Sequence, residues 1–158
     1  MTSSFAQYIF IDILALISLV IGSIWSFIII SIIIYNRRQL YNISTLLICN
    51  SCCACIFQCY NIFALYVYML RADLTKPDGG VNLPSDRLCT IRAWLLFSGA
   101  CAVYWSYMLQ GFHRLVTTVF YKKRWLQKSA VFYIIVIILQ WIMGGLVSVL
   151  PLFLGRDF

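Results

Sequence analysis

Charge is what this chain has least of: Asp, Glu, Lys and Arg together make up 11% of its 158 residues. Soluble globular domains carry about 25%, so a water-facing shell of ordinary polarity is excluded. Acids are scarcest, with aspartates at positions 12, 73, 78, 86 and 157 and no glutamate. His113 is the single histidine. Neither a carboxylate pair nor a Ser/His set falls at one depth, so we expect no enzyme, no cofactor and no metal. No basic region precedes the first apolar run, and that run is too long for a cleaved signal peptide. The net charge of +7 is divided among short links between apolar runs rather than gathered into a patch, which argues against nucleic acid.

What the chain does have is hydrophobic sequence, 63% of the total. It falls into four runs, at about residues 8–35, 43–70, 89–120 and 129–154. The 28 residues from Tyr8 to Tyr35 would make roughly 42 Å of helix. That exceeds a hydrocarbon core of about 30 Å and is accommodated by tilt. Asn36-Arg37-Arg38-Gln39 closes the first run, and the short link makes its neighbour antiparallel. Between Arg71 and Leu88 the turn signals Pro77-Asp78-Gly79-Gly80 and Pro84-Ser85-Asp86 mark a longer polar connection. Tyr121 to Lys128 is a basic link, and Pro151 should loosen the last turn of the fourth run. The expected fold class is all-α, a polytopic membrane helix bundle embedded in the lipid bilayer.

Orientation follows from lysine and arginine. One side holds Arg37, Arg38, Arg114, Lys122, Lys123, Arg124 and Lys128 without an acid; the other holds Arg71, Lys76, Arg87, Arg92 and Arg156 with all the aspartates. The first side is expected to be cytoplasmic and the N-terminus extracellular. Asn42-Ile43-Ser44 matches a glycosylation acceptor on the cytoplasmic side.

The region from Cys89 to Arg124 organises the rest. Cys89 to Arg114 is 25 residues, Arg114 to Trp141 is 27 and Trp141 to Pro151 is ten. In this register the chain resembles the rhodopsin-like (class A) G-protein-coupled receptors. In that family a cysteine opens helix three, an arginine in a D/E-R-Y motif closes it, and helix four carries a tryptophan and a proline. The loops agree: a short basic first link, a longer outer one and a basic third. The resemblance covers the whole chain as helices one to four of a seven-transmembrane architecture. It implies an N-terminal fragment or truncated product of a divergent receptor at the plasma membrane, with a heterotrimeric G protein as partner.

The resemblance also implies roles. Arg114 would contact the G protein; a snorkelling interfacial arginine is the plainer alternative. His113 stands where the family has an acid paired with that arginine, and Leu115 replaces the usual tyrosine. A neutral histidine cannot form that ion pair, which implies a weaker inactive lock; a simple interfacial histidine is the competing reading. Cys89 resembles the cysteine that pairs with one in the second extracellular loop, so its disulfide partner would lie outside this chain. Leu96, Phe97 and Ala100 would line an apolar outer pocket or simply pack between helices. Leu96 stands where amine receptors carry a counter-ion, so the resemblance implies an extracellular ligand other than a cationic amine. Counting from Asn50, the family's sodium-binding aspartate falls on Cys55 and its serine partner on Val103, implying no sodium site of that kind.

Cys49, Cys52, Cys53, Cys55 and Cys59 are read as small residues packing between helices, because one straight helix rarely supplies a tetrahedral site. Gly144 and Ser148 give a small-xxx-small face beside Trp141. The alternative to a receptor is a self-contained four-span scaffold or adaptor without signalling activity. No CCG motif in a large outer loop supports the tetraspanin form of that reading. A transporter has only Gly144-Gly145 as a hint of a broken helix. Asn42 should stay unglycosylated in cells, checked by the absence of an endoglycosidase shift on a gel.

Overall fold

Inside a bilayer no water is at hand for backbone N–H and C=O groups, so an apolar run must satisfy them within its own segment. The four runs accordingly form helices. The computed structural model describes the backbone of residues 2–36, 42–75, 87–119 and 129–154, and the side chains of 9–36, 42–71, 90–119 and 129–149. The helices are α1 (Thr2–Tyr35), α2 (Ile43–Thr75), α3 (Arg87–Val119) and α4 (Ala130–Leu154). Helix α1 begins within the polar start of the chain rather than at Tyr8, and α4 continues through Pro151. Two starts are capped. The Asn42 side-chain oxygen accepts a bond from the Ser44 amide at 3.3 Å, and the Ser129 hydroxyl accepts from the Phe132 amide at 3.4 Å.

Three helices contain stretches long and apolar enough to cross a membrane: Ile9–Tyr35, Ile43–Arg71 and Ala130–Val149. Helix α3 has the length but not the apolarity, which differs from the expectation of four spans. Trp94, Ser98, Ser106 and Gln110 interrupt it. The reason lies in its position. It packs against both α2 and α4; Trp94 and Gln110 bond to those neighbouring helices, Ser106 bonds to α3's own backbone, and Ser98 is buried.

Neighbours in sequence are neighbours in space. The α2–α3 pair is antiparallel: Asn61 meets Leu95, Cys55 meets Tyr107 and Ser51 meets Gln110, so numbers fall on one helix as they rise on the other. The α3–α4 pair follows the same rule, from Trp94 with Gly145, through Ala102 with Gln140, to His113 with Tyr133. Helices α2 and α4 run parallel and touch where Asn50 and Phe57 reach Trp141.

The polarity of the bundle is inverted relative to a soluble protein. Its interior holds Asn50, Ser51, Ala54, Ser98, Ala102, Ser106 and Gln140, whereas Phe10, Ile17, Trp25, Ile32, Ile138 and Leu146 face outward. Lipid tails are as apolar as leucine, so burying leucine gains little; close packing of small residues and hydrogen bonds hold the helices instead. On α1 the hydroxyls of Ser18, Ser26 and Ser31 donate to the carbonyls of Leu14, Gly22 and Phe27 on their own helix. They can therefore face lipid without an unpaired polar group. A small apolar cluster of Ile43, Leu47, Leu109 and Tyr133 closes one end.

Two glycines set helix separation. A methyl at Gly144 would meet the Ser98 carbonyl at 3.6 Å and Cys101 Cβ at 3.7 Å, so α3 and α4 lie backbone to backbone there. With Ser148 buried beside it, this is the small-residue face anticipated from sequence. At Gly99 a methyl would collide with the Gln58 side-chain oxygen of α2. Gly99→Ala should therefore lower stability by about 1–2 kcal/mol. Gly111→Ala meets nothing within 4 Å. It should raise stability by about 0.5–1 kcal/mol through helix propensity. Unfolding of the purified protein in mixed micelles distinguishes the two.

Candidate functional site

The least expected feature of the interior is a chain of side-chain amides crossing three helices. An amide in hydrocarbon must find partners or pay for its desolvation, so each member needs the next. The Trp141 indole N–H of α4 donates to Asn50 Oδ1 of α2 at 3.1 Å. Asn50 Nδ2 donates to Gln140 Oε1 at 3.2 Å, and Gln140 Nε2 donates to the Ala102 carbonyl of α3 at 2.8 Å. Asn50 and Gln140 are buried. Phe57 closes the seam with its ring edge-on to Trp141, centroids 5.8 Å apart. On the α2–α3 side Gln110 donates to the Ser51 hydroxyl at 2.6 Å. Further along, the Trp94 indole donates to the Gly145 carbonyl at 3.1 Å.

His113 and Arg114 are adjacent in sequence but separated by the helix. His113 is buried and meets the fully buried Tyr133 ring edge-on at 5.2 Å; Arg114 lies on the exposed side of α3. The hydroxyls of Thr117 and Thr118 donate to the Arg114 carbonyl at 2.8 and 3.0 Å, reinforcing the last turns of the helix. The structure thus brings His113, but not Arg114, into the α2–α4 core. The Tyr133 hydroxyl is buried without a hydrogen-bond partner.

Leu96, Phe97 and Ala100 do line a cavity, of about 550 Å³, between α1, α2 and α3. Asp12, Gln58 and Tyr66 share that lining, so it is less apolar than the α3 residues alone suggest. A second hollow, of about 340 Å³ and lined by Trp105, Met108, Phe112, Leu139 and Met143, lies between α3 and α4. The Cys55 sulfur sits 3.8 Å from the Tyr107 hydroxyl. Cys52 is buried and Cys53 exposed, so the α2 cysteines point in different directions, and all the described cysteines are free thiols. The side chains of Cys89 and Pro151 lie outside the described residues.

Sequence reasoning missed Gln140 and the contribution of Asp12. Both had a signal: each is an isolated polar residue inside a strongly apolar run. No family model, curated protein or solved structure matches this chain.

The seam defines a bundle whose second, third and fourth helices are locked by directional bonds. Gln140→Leu leaves the Asn50 amide without its acceptor and should cost about 1–3 kcal/mol. In an Asn50→Ala and Trp141→Phe double-mutant cycle, the coupling energy should be about 0.5–2 kcal/mol. Stability of the purified variants in micelles provides both values; additive single effects would mean that the indole bond contributes nothing.

Proposed function

We propose that the chain supplies helices one to four of a divergent rhodopsin-like receptor at the plasma membrane, with its N-terminus outside. One observation carries the reading. Trp141 bonds to Asn50, the two positions that the resemblance assigns to the helix-four tryptophan and the helix-two asparagine, and in the family that tryptophan packs against helix two. The spacing of Cys89, Arg114, Trp141 and Pro151 supports it independently. In this reading α3 also crosses the bilayer, with α2 and α4 covering its polar positions.

The mechanism is a population shift. A ligand in the outer cavity beside Leu96, Phe97 and Ala100 binds one arrangement of the helices better than another. Its differential affinity then favours the arrangement whose cytoplasmic end admits a G protein near Arg114. His113 faces Tyr133 rather than supplying a negative partner for that arginine, which leaves the inactive arrangement without the ion pair the family uses.

Sequencing the transcript beyond the codon for Phe158 tests the reading. Continuation into a cysteine-bearing loop and three further spans with CWxP-like and NPxxY-like motifs is the expected result. An in-frame stop overturns it in favour of a four-span scaffold. In the complete receptor, His113→Asp should lower basal nucleotide exchange on the G protein by restoring the acid; unchanged basal exchange removes His113 from the switch.

A further inference from the structure

A carboxylate inside an apolar helix is expensive in a bilayer, and such groups turn toward a bundle interior or a cavity rather than toward lipid. Asp12 lies three residues inside the apolar stretch that begins at Ile9. It lines the cavity between α1, α2 and α3 together with Gln58, Tyr66, Leu96 and Phe97. No cation is among the described residues of that lining. Arg92, one turn before Leu96 on α3, is held elsewhere, 4.2 Å from the centroid of the Tyr68 ring. Gln58, on the same wall, turns its buried side-chain oxygen toward Gly99 of α3, which leaves Asp12 as the acceptor open to the cavity.

The lining therefore holds one carboxylate and, among its described residues, no cation to pair with it. An ionised carboxylate only accepts, whereas an ammonium group brings up to three donors and the opposite charge. Tyr66 and Phe97 add aromatic rings to the lining, the side-chain type that attracts cations. At about 550 Å³ the space matches a small organic molecule rather than a bare ion.

We propose that this cavity binds a small organic cation, an alkyl or aralkyl ammonium, with Asp12 as its counter-ion. The inference deepens the reading of this cavity as the ligand site and rests on it. Leu96, the uncharged residue that argues against an amine by resemblance, lies in the same lining, but the negative charge enters from α1.

The test uses the full chain in lipid nanodiscs, titrated calorimetrically with phenethylammonium chloride and, separately, with the neutral 3-phenylpropan-1-ol. Saturable binding of the cation and none of the alcohol is expected. Asp12→Asn should weaken the cation about tenfold or more, as loss of a charge-assisted bond does, and Asp12→Glu should retain it. Leu96→Trp should block binding by filling the space while leaving the carboxylate in place. Wild-type-like thermal unfolding of each variant shows that the bundle is intact. Equal binding of cation and alcohol, unchanged affinity in Asp12→Asn, or no saturable binding of the cation overturns the proposal. No G protein is present in this assay. A failure here therefore leaves the coupling test untouched, and a transcript that stops after Phe158 leaves the cation site standing.

Discussion

The bundle depends on how its buried amides are satisfied. Asn50 and Gln140 are fully inside, and each is tolerable there only because the other, the Trp141 indole and the Ala102 carbonyl are within hydrogen-bond reach. In water such a chain would compete with solvent and count for little. Between helices in lipid it supplies direction: it fixes the rotation of α2, α3 and α4 about their axes, since turning any one would strand an amide. The remaining contacts accommodate that arrangement. Gly144 and Ser148 let α4 approach α3, Gly99 makes room for Gln58, and the large aliphatic residues are left to the outside.

That division of labour has a consequence for α1. It contacts mainly α2, and the serines described above bond back to their own helix. Among the described residues nothing comparable to the seam ties α1 down, and the cavity carrying Asp12 opens along its side. The rigid part of the structure and the part that holds the candidate ligand site are thus different. One is closed by directional bonds; the other is bounded by apolar side chains, Gln58, Tyr66 and a single carboxylate, an arrangement that can respond to what occupies it.

Much of the architecture was legible in the sequence. Runs of this length and apolarity admit only helices in a bilayer, and short links between them impose antiparallel neighbours. The tight face at Gly144 and Ser148 also followed from local pattern. Less legible was the character of α3, whose Trp94 and Gln110 lower its apolarity because they bond to the neighbouring helices. The pairing of Asn50 with Gln140, 90 residues apart, has no local signature. Each looked like a lone polar residue, and only their meeting gives either a reason to be there.

The sequence by itself determined that this is a helical chain with membrane-spanning stretches, because backbone hydrogen bonding in hydrocarbon leaves no other option for such runs. It also marked Arg114 and His113 as the polar end of the third run. Only the tertiary structure decided that His113 turns inward to Tyr133 while Arg114 turns out, that Asp12 shares a cavity with Leu96 and Phe97, and that Asn50, Gln140 and Trp141 form one seam. Those outcomes depend on the rotation of each helix about its axis. Periodicity alone leaves that rotation open when nearly every face is apolar, and packing against specific neighbours sets it.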